Sequence, residues 1–223
     1  MSVFLKSSIG KKLLMSLSGL FLIAFLCVHL GINLLLLFGD GTSFNLAANF
    51  MGSSPIMKVM EPILVIGFLL HLIYASILTF QNQQARPQNY SKINSGGSSK
   101  WASRNMFVLG GLVFIFLVVH IINFFWKIKF GSVPSISING EEMHNTYALV
   151  SGLFISYWWY DVIYVIGAIL LGLHLHHAFW AAFQTIGLSN TIWRKRLEVV
   201  GDIFAILIAV GFSVIPLYFL ILK

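Results

Sequence analysis

Five apolar runs, each long enough to cross a hydrocarbon layer, decide what this chain can fold into. They lie near residues 13–38, 62–81, 106–126, 155–183 and 199–222, and a helical crossing takes about 20 apolar residues. No water reaches that depth to satisfy peptide groups, so each run must close its own hydrogen bonds, and five transmembrane helices are expected. Composition agrees, since only 9% of residues are charged against roughly 25% in soluble domains. The first run is too long for the core of a signal peptide, lacks a convincing cleavage site and contains His29, so it reads as a retained span. Residues 1–223 are therefore expected to form one all-α integral membrane domain, a five-helix bundle with no separate soluble part.

A net charge of +7 invites a nucleic-acid partner, but its distribution argues against one. Lys6, Lys11 and Lys12 precede the first span, Arg86, Lys92, Lys100 and Arg104 follow the second, and Arg194, Lys195 and Arg196 follow the fourth. Positive residues mark the cytoplasmic side, which places the N-terminus inside and accounts for the basic excess. Loop 82–104, polar and rich in Gly and Ser, reads as a flexible cytoplasmic connector or a surface for a soluble partner. Segment 39–60 contains a short amphipathic stretch suited to the outer interface. Pro62 is expected at the start of the second span, where a missing amide costs little. Trp101, Trp126 and the run Tyr157–Tyr160 fall near span ends, as an aromatic belt does. The single cysteine, Cys27, reads as a packing residue, and without C-x-x-C-H no covalent c-type haem attachment is expected.

Of the seven histidines, all but His144 fall in the expected spans. Ionisable side chains at membrane depth are costly and usually functional. Counting along each span at about 1.5 Å per residue puts His29 and His120 in the outer half. His71 lies near mid-depth toward the inner half, and His174 lies in the inner half. Two imidazoles from different helices at one depth suit the axial positions of a haem iron, and a bis-histidine haem moves electrons instead of binding oxygen. Structural zinc needs four clustered ligands, and a proton relay normally recruits embedded acids. Here only Glu61, Asp161 and Asp202 approach that description. Within "HLHH", His174 and His177 are about 60° apart around a helix and share a face, whereas His176 points away. Geometry leaves His174 and His177 open.

These residues resemble the di-haem cytochrome b membrane-anchor subunit of succinate:menaquinone oxidoreductases and fumarate reductases, in its single-subunit, five-helix form. The likeness covers nearly the whole chain. It rests on His29 with Asn33, "FNLAANFMGSSP" at 44–55, "EPILVIGFLLHLIY" at 61–74, "RNMFVLGGLVFIFLVVHIINFFW" at 104–126 and "HLHHAFWAAFQTIG" at 174–187. The interval of forty-two residues from His29 to His71 matches the family, whereas the interval from His120 to His174 is longer, the excess falling around "SVPSISINGEEMHNTY". The resemblance implies His29 and His120 as ligands of an outer haem, and His71 with one of 174–177 for an inner haem. Ala178, Phe179 and Trp180 match the family pattern that places that ligand at His174, leaving His177 as the alternative.

What the resemblance implies about function is an electron-transfer subunit of a succinate dehydrogenase or fumarate reductase in the bacterial cytoplasmic membrane. Its partners are then a flavoprotein, an iron–sulfur subunit and a quinone, with two b haems as cofactors. No nucleophile, phosphate-cradling glycine loop or flavin fingerprint appears, so this subunit alone is not expected to oxidise succinate. Ser16, Lys11, Lys12 and Arg104 lie near inner span ends, where they suit haem propionates as well as topogenic charge or packing. The family's acidic quinone-site residue has no counterpart in "NFMGSSP". Glu61 and Asn49 are the polar candidates nearby, and Glu61 reads equally as an N-terminal helix residue favoured by the dipole. The rival readings are the cytochrome b of a hydrogenase or formate dehydrogenase, and a transporter with histidine-mediated proton coupling.

Overall fold

The computed structural model describes residues 7–85, 105–188 and 190–222. Its helices are α1 (Ser8–Leu34), α2 (Thr42–Ser53), α3 (Pro55–Gln84), α4 (Met106–Phe130), α5 (Thr146–Ser156), α6 (Trp158–Thr185) and α7 (Thr191–Ile221). Five of them (α1 with its following 3-10 turn, α3, α4, α6 and α7) are long and apolar enough to cross a membrane. Side-chain caps start several helices: the Ser7 hydroxyl accepts the Gly10 amide at 3.0 Å, and Asn190 Oδ1 accepts the Ile192 and Trp193 amides. Each cap satisfies donors that the first helical turn leaves unpaired. Large apolar side chains stay exposed along the long helices, among them Ile66, Ile115 and Ile206, the surface a lipid-facing helix presents.

The helices α1, α3, α4 and α6 form a ring in that order, with α6 closing back on α1. Thus α1 faces α4 across the ring and α3 faces α6, without packing along each other's lengths. The α3–α4 seam is the loosest, bridged by side chains: Phe68 stacks on Phe114, Phe80 meets Phe107, and Lys129 Nζ lies 2.9 Å from Glu61 Oε2. Helix α7 lies outside the ring, against α6 and α1. Its Gly201, Ala205 and Ala209, spaced four apart, meet Phe179 and Gly172 of α6. Small residues at that spacing let two helix backbones approach closely.

Three sequence expectations need correction. The second span begins at Pro55, not Pro62; Ser54 precedes the helix, and Pro62 sits inside it. Pro55 occupies the first helical position, where its missing amide costs nothing, and that places Glu61 beyond the first turn, so Glu61 is not a terminal helix residue. The run expected at 155–183 is broken at Tyr157, whose extended backbone separates α5 from α6. The chain is also not all-α: Ser135–Ile138 (β1) pairs antiparallel with Glu141–His144 (β2), Ile138 opposite Glu141. Asn139 and Gly140, with φ of 56° and 84°, make the turn between them, since a two-residue hairpin turn favours positive φ at both positions.

The hairpin, α2 and α5 cap one end of the bundle over a core that includes Leu36, Phe44, Phe154, Ile215 and Phe219. The Thr42 amide donates to Asp40 Oδ1, and hydrogen bonds from the Thr42 hydroxyl and amide hold that carboxyl below the usual carboxylate range. Gly41 has φ of 86°, and a Cβ there would lie 2.3 Å from Tyr147 Cγ, so both backbone and space require glycine. Asn45, 2% exposed, clamps the cap: its amide nitrogen donates to Asn145 Oδ1 at 3.2 Å, and its Oδ1 accepts the Tyr147 amide at 2.8 Å. Asn45→Ala is expected to destabilise the cap by about 1–3 kcal/mol, the cost of stranding buried polar partners. The checks are a lower thermal midpoint in detergent and faster proteolysis within 131–145.

Candidate functional site

Four histidines from four helices meet as two pairs across the ring. His29 of α1 faces His120 of α4, with ring centroids 5.7 Å apart and planes at 87°. His71 of α3 faces His174 of α6, with centroids 6.4 Å apart and planes at 77°. Both pairs bridge helices that stand opposite one another, so each spans the centre of the bundle.

The pairs occupy separate levels. His71 Nδ1 lies 3.3 Å from the Met15 carbonyl and 3.5 Å from Ser18 Oγ, which levels it with residues 15–18 of α1. His29 lies roughly twelve residues further along the same helix, about 18 Å. Helix α4 gives a second measure. A Cβ on Gly110 would lie 3.5 Å from His174 Cε1, and His120 follows ten residues later, about 15 Å.

Local packing orients each ring. A proton on His71 Nδ1, donated to the Met15 carbonyl, leaves Nε2 as the lone-pair atom. Gly19 adds room, because a Cβ there would lie only 3.3 Å from His71 Cε1. His29 stacks on Phe25, and Asn33 Nδ2 lies 3.4 Å from its Nδ1 while donating to its carbonyl at 2.8 Å. His120 sits among Phe116, Phe124 and Tyr164. Immediately after it α4 changes to π-helical winding over Ile121–Trp126, a distortion frequent at functional sites. That segment turns Asn123 inward, where its Nδ2 donates to the Tyr164 hydroxyl at 3.3 Å. His174 Nδ1 is buried with no hydrogen-bond partner among the described residues, a state buried polar atoms seldom occupy.

The other two members of "HLHH" point elsewhere. His177 packs edge-on against Trp180 at 5.1 Å, and His176 Nδ1 lies 2.7 Å from Asp202 Oδ1 of α7. The ring facing His71 is thus His174. Among the described residues no three His, Cys, Asp or Glu side chains gather as a metal site.

Comparison of the chain with family models, curated proteins and solved structures found no match.

The remaining sequence candidates distribute between the two ends. Ser16 is buried on α1, beside the residues that contact His71. Lys11 Nζ donates to Gln81 Oε1 at 3.3 Å, tying the start of α1 to the end of α3, and Lys12 is exposed. Arg104 lies outside the described residues. At the opposite end Glu61 is held by Lys129, and Asn49 is half-buried on α2, its carbonyl accepting the Ser53 hydroxyl. No hydrogen bond joins Glu61 or Asn49 to a histidine among the described residues. Sequence reasoning passed over Asn123, Tyr164, Gly19 and Gly110. The first two are polar residues inside apolar runs, three residues beyond His120 and ten before His174, and the glycines are visible only once the rings they abut are placed.

Proposed function

We propose that the chain is the cytochrome b membrane anchor of a succinate dehydrogenase or fumarate reductase. In that role it passes electrons between an iron–sulfur subunit and a quinone, menaquinone by the family resemblance, through two b haems. The observation that carries this reading is the presence of two diagonal imidazole pairs, neither of which belongs to a cluster of three metal-ligating side chains among the described residues. A metal held by two imidazoles alone must bring its other ligands with it, as the iron of a porphyrin does. Two metal–nitrogen bonds of about 2 Å, extended to the ring centres, set a centroid separation of about 6 Å. Separations of 5.7 and 6.4 Å fit that requirement.

On this reading His29 and His120 hold one haem, and His71 and His174 the other. A haem held by each pair would supply reversible one-electron chemistry. The polypeptide orients and insulates. The Met15 carbonyl and Ser18 fix the His71 ring, and Asn33 stands beside His29. Phe25, Phe116, Phe124 and Phe212 surround the other pair with apolar rings, which keeps water from the ligands. The basic end, with Lys11, Lys12, Arg194, Lys195 and Arg196, is assigned to the cytoplasm. The flavoprotein and iron–sulfur subunits then dock there, and Lys11, Lys12, Ser16 and Arg104, the last outside the described residues, are the groups that would serve the haem propionates. The quinone is assigned to the capped end, where Glu61 and Asn49 lie.

The deciding measurement is a reduced-minus-oxidised optical spectrum of the purified chain with haem quantification. A b-type band and two haems per chain are expected, together with a copurifying flavoprotein active on succinate or fumarate. Absence of the band overturns the reading. Copurification with a hydrogenase or formate dehydrogenase assigns the chain to that complex instead.

A further inference from the structure

The first turns of α7 carry a second feature, independent of the histidine pairs. The apolar part of this helix, Val199–Ile221, is about 35 Å long and covers a hydrocarbon layer of about 30 Å. The preceding Thr191–Glu198 adds about 12 Å and stands at headgroup height. Over this stretch Ile192, Trp193, Lys195, Arg196, Val199 and Val200 are exposed on the surface of the helix. Positions 192, 195, 196, 199 and 200 recur at helical spacing and share one face. The face continues into the span through exposed Ile203, Ile206 and Val210.

Charge on this face is unbalanced. Arg194 Nε lies 3.2 Å from Glu198 Oε1, and Asp202 Oδ1 lies 2.7 Å from His176 Nδ1, so both neighbouring acids already face a basic partner. Lys195 and Arg196 have no carboxylate within ion-pair distance among the described residues. The Arg196 guanidinium lies over the Trp193 ring at 5.3 Å, and such a contact restrains a long cationic side chain. Tryptophan itself prefers the headgroup boundary.

We propose that this face of α7 binds one anionic phospholipid, its phosphate on Lys195 and Arg196 and an acyl chain along the Val199–Ile203–Ile206–Val210 stripe. A zwitterionic lipid presents its own cation to the two basic groups and gains less. A soluble acidic protein also meets the charge, but it cannot follow the stripe into hydrocarbon, whereas an acyl chain does. Retention of such a lipid seats the start of α7 at a fixed depth, beside Trp180, over which Arg194 lies at 5.0 Å.

The test is native mass spectrometry of the delipidated protein in mild detergent, titrated with phosphatidylglycerol or phosphatidylcholine. One phosphatidylglycerol is expected to bind preferentially and to be released as salt rises. Lys195→Gln with Arg196→Gln is expected to weaken it roughly 25-fold, about fivefold for each cation near the surface. Lys58→Gln, at the opposite end of the bundle, is expected to leave it unchanged. The substituted side chains are exposed, so an unaltered thermal midpoint verifies the fold of the double variant. Equal binding of phosphatidylcholine, unchanged phosphatidylglycerol affinity in the double variant, or loss of a soluble partner with lipid binding intact overturns the proposal.

Discussion

If the chain holds two haems as proposed, His120→Ala is expected to lower bound haem from two per chain to about one and to leave the remaining haem's optical spectrum intact. The pairs share no ligand and lie about 15–18 Å apart along α1 and α4. Removing one imidazole of the His29–His120 pair therefore leaves the surroundings of His71 and His174 unchanged, including the Met15 carbonyl and Gly110. His29→Ala is expected to give the same single-haem spectrum, and His174→Ala the complementary one. His177→Ala is expected to keep both haems, because His177 packs on Trp180 while His174 faces His71. On the proposed function, quinone-linked turnover of the purified complex is then expected to fall by at least the roughly 10–100-fold typical of disturbing a metal site's support. Succinate oxidation by the soluble partners with a dye acceptor is expected to persist. Two haems with unchanged spectra in His120→Ala overturn the pairing.

Gly172→Ala is the second large expected effect, this time on assembly. A Cβ at Gly172 would lie 2.8 Å from Ala209 Cβ and 3.2 Å from the Ala205 carbonyl oxygen. These are main-chain and Cβ atoms of a helix, which cannot swing aside as a long side chain does, so α6 and α7 must separate or slide. Overpacking of that kind costs about 1–3 kcal/mol. Because His174 and His176 lie just beyond on α6, the same shift is expected to loosen the contact of His176 with Asp202 and to reduce occupancy of the haem proposed between His71 and His174. Gly111→Ala is the matched control: its Cβ meets nothing within 4 Å, and alanine favours a helix over glycine by up to about 1 kcal/mol. The readouts are thermal midpoint and haem retention on heating in detergent. Equal behaviour of the two variants overturns the close-packing account.

Much of the candidate site is legible along the chain because the membrane simplifies the problem. Where nearly every residue is apolar, His29, His71, His120 and His174 stand out, and a fixed rise per residue turns sequence position into depth. That counting pairs His29 with His120 and His71 with His174, the pairs that face each other across the bundle. The hairpin was passed over although "SISINGEEMH" carries an Asn–Gly turn between short β-forming segments, a recognised hairpin signal. The close α6–α7 seam was likewise available in Gly201, Ala205 and Ala209, whose spacing of four marks a small-residue helix face. The Asn45 clamp was beyond reach, since its partners lie a hundred residues away along the chain.

By itself, the order of residues determined how many long apolar helices form, where they end to within four residues though two of them start seven and eight residues earlier than expected, and which levels their histidines occupy. These are properties of hydropathy and of a constant helical rise, and each can be read from one segment alone. Only the tertiary structure decided which helices stand opposite in the ring and which of His174 and His177 turns inward. It also decided that Glu61 is held by Lys129. Those outcomes depend on how each helix is rotated about its axis, and rotation is set by contacts between segments: α7 against Gly172, α3 against Gly19, and the start of α5 against Asn45. For "HLHH" the result is one imidazole on the bundle axis, one against Trp180 and one beside Asp202, because successive helical positions fan about 100° apart and the packing of α6 chooses which of them faces His71.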